Sequence, residues 1–282
     1  MITHNGTYLP FATHHGMPIY AATMGGKMVF GSRWLLPLTL QAIVAAFGAE
    51  GTEVIRKTND YLNQIATTDP QRAQALAGWL NTYAAEDAHI VYSLIPTLGV
   101  VRKITTVGAA AINTGLYINV GDYFKMGFQC DNLPASGYNR VTPYGCTNRM
   151  WMRIERQNFI ECYMQSQQNI GGCTFAANTM YEMEINTNGT YKIGSQTFTK
   201  NGLTATTPNT MWLFKKAGSY NETYTKRIDR YELFNSDGEY RQYLVPFIRN
   251  EVNGMLDLLT GDFFPNAMSS GSFTISETPS TP

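Results

Sequence analysis

A mainly β protein with one helical segment is what this 282-residue sequence predicts, and three observations predict it. From Val100 onward, short runs rich in β-branched and aromatic residues alternate with Gly-, Asn- and Asp-containing turn signals. No helix-period stretch intervenes, which is the pattern of an antiparallel sandwich or barrel, here a jelly roll. Between residues 35 and 95, apolar residues instead recur every three to four positions, the period of a helix face. Ahead of these lies a run of very short strands. The expected divisions are a small β anchoring module at 1–33, a helical connector and oligomerisation segment at 34–97, a jelly-roll domain at 98–275 and a tail at 276–282.

In the first module, Tyr8–Phe11, Met17–Tyr20 and Lys27–Phe30 are separated by His15-Gly16 and Gly25-Gly26 and read as a three-stranded meander. So small a sheet buries too little surface to stand alone. It must lean on its own helices, on sister chains or on a larger partner, and Tyr8, Phe11, Ile19, Tyr20, Val29 and Phe30 are the candidate anchoring residues. In the connector, Leu40, Ile43, Val44 and Phe47 form one apolar face that stops at Gly48. Ile55, Leu62 and Ile65 form a second. Asp69-Pro70 is a start signal, a capping acid followed by proline at the first helical position. A third helix then runs on through Ala73, Leu76, Ala77, Leu80, Ala84, Ala88 and Val91. Its small apolar face suits close helix packing, within the chain or between copies.

The densest strand signal is KRIDRYELFNSDGEYRQYLVPFIRNEVNGMLDLLTGDFFPN, residues 226–266. Turns are expected at Ser236-Asp237-Gly238, Asn253-Gly254 and Thr260-Gly261-Asp262, because Asp-Gly and Asn-Gly supply the positive φ of tight turns. Tyr231, Leu233, Leu244 and Val245 are expected in the core, as are Trp151 and Trp212. The segment after Phe273, ISETPSTP, has turn composition.

Charge sets limits on partners. The 21 basic and 21 acidic residues cancel, so no basic stripe for nucleic acid is present. A chain with only 15% charged residues suits a protein held in an assembly. Met1–Pro10 lacks a secretory pattern, and the longest apolar run, Ala42–Phe47, is too short for membrane insertion. Synthesis and folding in a cytosol are expected. Cys130, Cys146, Cys162 and Cys173 contain no CxxC pair, so a metal site is not expected; the even count permits two disulfides, and without a secretory pattern free buried thiols are expected instead. The four histidines have no convergent partners, and no cofactor is expected.

From Lys226, the hairpin, the NGMLDLLTGDFF segment and the closing NAMSSGSFT run resemble the ending of concanavalin A-like, laminin-G-like jelly-roll domains. Such domains occur in proteins of gut Bacteroidales and their phages. Asn113-Thr114-Gly115 and Asn209–Phe214 also fit, and the resemblance covers residues 98–275. The opening NGTYLPFATHHGMPIYAATMGGKMVFGS resembles short modules of virion-attached phage proteins such as crAss-like phage head fibres. The resemblance implies a structural virion protein, a head fibre or capsid decoration protein, assembled in the host cytoplasm. Its N-terminal module would bind a capsid or other virion protein, its helices would self-associate as a trimer or dimer, and its jelly roll would face host surface glycan. The alternative is a bacterial surface lectin or a carbohydrate-active enzyme of the same superfamily.

Glycoside hydrolysis needs two carboxylates facing one cleft. The family resembled places Glu-x-Asp-x-x-Glu on one strand. Here only Glu182 and Glu184 share a strand face, and the other acids of the pattern are missing, so no catalytic residue is assigned and a non-enzyme is expected. Arg153, Glu155, Arg156 and Glu161 read as charge pairs on a wet face. A sugar site needs aromatic platforms with amide and hydroxyl partners, usually on loops. The candidate ligand-binding residues are therefore Tyr138, Asn139, Arg140, Tyr144 and Asn148 in one loop, and Tyr220, Asn221 and Tyr224 in another.

Overall fold

A computed structural model describes residues 2–4, 7–9, 12–14, 17–19, 21–24, 27–32, 34–133, 141–146, 149–156, 159–164, 166–171, 174–215 and 225–280, with side chains from residue 32 on except 155–156, 159 and 167–171. The chain forms two compact units: Met1–Val101 with Pro279–Pro282, and Arg102–Thr278.

The first unit begins with β1 (Ile2–His4), β2 (Thr7–Leu9), β3 (Ala12–His14), β4 (Met17–Ile19), β5 (Ala21–Met24) and β6 (Lys27–Gly31). These pair as three separate antiparallel hairpins, β1 with β2, β3 with β4 and β5 with β6, rather than as one meander. The signal passed over was Asn5-Gly6, a third glycine-containing dipeptide equivalent to His15-Gly16 and Gly25-Gly26. Of the anchoring candidates, Tyr8, Ile19, Val29 and Phe30 fall on β2, β4 and β6, with side chains outside the description, and Phe11 and Tyr20 lie outside the described residues.

Helices α1 (Pro37–Phe47), α2 (Gly51–Ala66), α3 (Pro70–Tyr83) and α4 (Val91–Leu94) follow. The Asp69 carboxylate accepts from the Arg72 N–H at 2.9 Å and caps α3. α1 has no local side-chain cap. Asn81 of α3 serves instead: its Oδ1 accepts from Leu36 N at 2.8 Å and its Nδ2 donates to Trp34 O at 2.8 Å. α3 stops at Tyr83, short of the expected Val91. Asp87 is extended at φ −143°, a conformation in which a short acid side chain competes with helix. His89 follows in a single 3₁₀ turn, 4.6 Å from the Phe47 ring. By length and composition residues 37–66 pass as a possible membrane span. Gly48 at φ 54° divides that stretch, and α2 carries Glu53, Arg56, Lys57 and Asp60.

The second unit is an antiparallel sandwich of jelly-roll type. Its strands are β7 (Val100–Val107), β8 (Ile112–Asn113), β9 (Tyr123–Cys130), β10 (Val141–Cys146), β11 (Met150–Arg156), β12 (Phe159–Met164), β13 (Ser166–Gly171), β14 (Tyr181–Asn186), β15 (Thr190–Ile193), β16 (Gln196–Thr199), β17 (Trp212–Leu213), β18 (Lys226–Phe234), β19 (Tyr240–Arg249), β20 (Val252–Asp257), β21 (Phe263–Phe264) and β22 (Ser272–Pro279). One sheet runs β13-β12-β11-β10-β17-β8. The larger runs β16-β15-β14-β9-β18-β19-β20-β21, with β7 beside β18 and β22 beside β7. Alternate residues of both sheets meet in one core: Met150, Met152 and Ile154 from the first sheet, Phe124, Met126, Phe128, Tyr231, Leu233 and Leu244 from the second. Val245 is also fully buried.

Several strand details depart from expectation. Val141–Cys146 is a strand, not part of a loop. The 276–282 tail begins inside β22, which extends to Pro279. The β19–β20 turn is made by Asn250 and Glu251 at φ 50° and 66°, and Asn253-Gly254 lies within β20. Gly254 is needed there for space, since a Cβ would sit 2.6 Å from Phe264 O and from the Phe263 ring. The Asp237-Gly238 turn is as expected: Gly238 has φ 82°, and the Asn235 side chain accepts from the N–H groups of Asp237 and Glu239 at 3.0 and 2.9 Å. Cys130, Cys146 and Cys162 are free and buried, and Cys173 lies outside the described residues.

Candidate functional site

The outer face of the six-stranded sheet carries an aromatic row that includes Trp151, buried as expected, and Trp212, which is half-buried and lies outside the inter-sheet core. Side chains alternate across a strand, so with Met150 and Met152 pointing inward, Trp151 points outward. The same holds for Tyr163 between Cys162 and Met164, and for Trp212 between Met211 and Leu213. Pairing places these residues in line: Tyr163 opposite Trp151, Trp151 opposite Gly145, Gly145 opposite Trp212, and Trp212 opposite Asn113. With strands about 4.8 Å apart, the two indoles originate about 10 Å from each other, across a residue with no side chain.

Each indole has a cation beside it. The Arg153 guanidinium lies 4.5 Å from the Trp151 ring centre, and the Lys215 ammonium 5.5 Å from that of Trp212. Tyr163 stacks on Trp151 at 5.5 Å and 20°. Trp151 is covered to 5% exposure; Tyr163, Arg153, Trp212, Lys215 and Asn113 are half-buried. Glu161 stands opposite Arg153 and is 4% exposed, so this charged pair is not on a wet face.

The strands bearing this row also carry the two candidate loops. Residues 131–140 connect the end of β9 to the start of β10, and residues 214–225 connect the end of β17 to the start of β18. In the larger sheet Cys130 pairs with Lys226; in the smaller one Phe214 N donates to Pro143 O at 2.7 Å. Both loops therefore leave from neighbouring strand ends at one end of the sandwich. At their base, Asp131 N donates to Thr225 O at 3.2 Å, and Arg227 grips the Asp131 carboxylate with both terminal nitrogens, the two-pronged geometry that holds most firmly.

Tyr138, Asn139, Arg140, Asn148, Tyr220, Asn221 and Tyr224 lie outside the described residues. Tyr144 is not on a loop. It occupies β10, is fully buried, and packs edge-on against Phe124 at 4.7 Å. Burial holds its hydroxyl well above the ordinary phenol range. Val141–Cys146 reads as loop because Pro143 and Gly145 dilute the strand pattern; Gly145, itself buried, stands in register between the two indoles.

Glu182 and Glu184 do share the outer face of the larger sheet, and both are engaged. Arg230 reaches both oxygens of Glu182 and also Asp229 and Glu232, at 3.2 and 2.7 Å. Lys192 holds Glu184 at 2.6 Å. Asp229 and Arg230 form a bulge opposite Gly127. The Asp229 carboxylate accepts from Gly127 N at 3.1 Å, and burial raises its pKa from 3.8 to about 6. Among the described residues no group of histidine, cysteine and acid side chains could hold a metal ion.

No family model and no curated protein matches this sequence. Among solved structures, the chain is similar to a candidate carbohydrate-binding protein of Bacteroides ovatus, at 12% identity over 64% of this chain and 60% of that one, with a TM-score of 0.44. It is also similar to the heptameric SAP-like pentraxin of Limulus polyphemus, at 10% identity over 48% of this chain and 76% of that one, TM-score 0.34. A third is a Trypanosoma rangeli sialidase mutant displaying trans-sialidase activity, at 12% identity over 59% and 38%, TM-score 0.34. The chain spans about three fifths of the Bacteroides protein.

Proposed function

We propose that the sandwich is a non-catalytic glycan-binding domain displayed by a structural virion protein, a head fibre or capsid decoration protein. The observation that carries the glycan reading is the in-register row Tyr163–Trp151–Gly145–Trp212 on the strands that hold both candidate loops. Aromatic rings beside amide and cationic groups are what a sugar's apolar face and hydroxyls require. Binding is favoured over hydrolysis because Glu182 and Glu184 are each tied to a cation, whereas a glycosidase needs two carboxylates open to one cleft. Display on a virion rests on the resemblance of the first thirty residues to phage anchor modules. Self-association rests on the helical segment, where Leu36 and Leu38 are 58% and 70% exposed.

A glycan array probed with the full chain and with Trp212→Ala tests the glycan reading. Retention by the parent and its loss in the variant is expected; no retention by either overturns it. Mass spectrometry of purified particles tests the virion reading, which fails if the chain is missing from them. Release of reducing sugar from a retained glycan would overturn the non-catalytic reading.

A further inference from the structure

A lysine ammonium lies inside the sandwich at its loop end. Lys226, the first residue of β18, is 1% exposed. Its backbone is fixed by Thr106, whose Oγ accepts from Lys226 N at 2.9 Å. Its side chain leaves the larger sheet, and Nζ donates to the Phe214 carbonyl, one residue beyond β17 of the smaller sheet. Placing a cation in the interior is costly unless its donors are used, so a lysine here calls for a reason that an apolar side chain would not supply.

Phe214 supplies one. It is fully buried, yet its φ is +68°, a left-handed backbone that is costly for a bulky residue. Such conformations persist where surrounding structure over-determines them, and they gather at functional sites. Phe214 is held through both peptide groups that flank its Cα: its N–H donates to Pro143 O at 2.7 Å, and its carbonyl accepts from the Lys226 ammonium. Its ring packs 5.7 Å from that of Phe273. The surroundings are of low polarity, since burial pushes the neighbouring Cys130 thiol up to about 11, and low polarity strengthens a charge-assisted hydrogen bond.

We propose that Lys226 is the positioning residue of the loop end: by holding the Phe214 carbonyl from across the core, it fixes the left-handed backbone at which the chain leaves β17. The loop's relevance to ligand rests on the glycan reading; the mechanical role of Lys226 does not.

Hydrogen–deuterium exchange over residues 211–215 in the full chain tests the role directly. Lys226→Met keeps the length and removes the charge, and tenfold or faster exchange in this window is expected, with exchange in β19 and β20 unchanged. Lys226→Arg, which keeps a donor, should recover most of the protection. Unchanged exchange in a folded Lys226→Met chain overturns the proposal. Should that variant fail to fold, NMR of the parent decides. Slowly exchanging Lys226 ammonium protons with a coupling across to the Phe214 carbonyl support the proposal, and protons exchanging as fast as those of surface lysines overturn it. Glycan retention is scored in parallel. Loss in Lys226→Met with rescue by Lys226→Arg extends the role to binding, whereas no retention by the parent removes the glycan reading and leaves the exchange result standing.

Discussion

The two sheets of the sandwich have opposite kinds of outer face. On the larger sheet, carboxylates and cations alternate in engaged sets: Glu182, Asp229 and Glu232 around Arg230, and Glu184 with Lys192. Beside them Tyr123, Phe234, Tyr240 and Tyr243 stack ring on ring at 4.5–5.3 Å. Those rings form one continuous stack, in which Tyr240 stays 40% exposed. On the smaller sheet the row of rings is interrupted by Gly145. The same residue types thus form an unbroken stack on one face and a row interrupted by a glycine on the other, and spacing rather than composition distinguishes the two.

Four substitutions test this contrast. The largest effect is expected from Gly127→Ala, whose added methyl would sit 2.6 Å from Asp229 Cγ. A loss of about 2–3 kcal/mol from overpacking is expected, read as a fall in melting temperature, with glycan retention per folded molecule unchanged. Reduced retention at equal folded fraction would show that the two faces are coupled.

Asp229→Asn comes next. Because burial raises the folded-state pKa from 3.8 to about 6, the folded chain binds this proton more tightly than the unfolded one. The group's stabilising contribution is full below about pH 4 and is lost as pH rises through 6. Urea titrations at pH 4 and pH 7 should therefore show the variant's stability changing less between them than the parent's, by about 1–2 kcal/mol after allowance for the Arg230 network. Equal differences would place Asp229 outside the locked set.

Trp212→Ala should weaken glycan retention at least tenfold, about 1.4 kcal/mol, in an affinity-electrophoresis series. Retention at the parental level would move the site off this face. The smallest effect belongs to Glu184→Gln. Its partners Lys192 and Lys125 are 51% and 41% exposed, and exposed ion pairs contribute below about 1 kcal/mol. A larger loss in a chemical melt would mean that the charges of this face act as one network.

The sandwich was legible in the sequence because turn chemistry is local: Asp237-Gly238 and Gly261 mark their turns without reference to the rest of the chain. Where a glycine serves a distant neighbour, local reading failed. Asn253-Gly254 looks like a turn, but Gly254 makes room for Phe263, while the turn falls to Asn250, a residue type that tolerates a left-handed backbone, and Glu251, which carries no such signal. The site was less legible for a similar reason. Alternation alone could have shown that Trp151 and Trp212 point away from Met150, Met152 and Leu213, but the row appears only once β10, β11 and β17 are set in register. Tyr144 was misplaced because a strand containing Pro143 and Gly145 reads as loop.

The pairing of β7 with β22 brings the start and finish of the sandwich side by side, with Arg102 Nε 3.5 Å from the Glu277 carboxylate. A tensile load applied at both ends of this unit would fall first on that pair of strands, and Thr106 of β7 links it to the Lys226 corner where the loops leave. The unit is consequently shaped as a cassette: it could be spliced into a surface turn of another protein, or its ends joined and new ones cut elsewhere, without lengthening any connection.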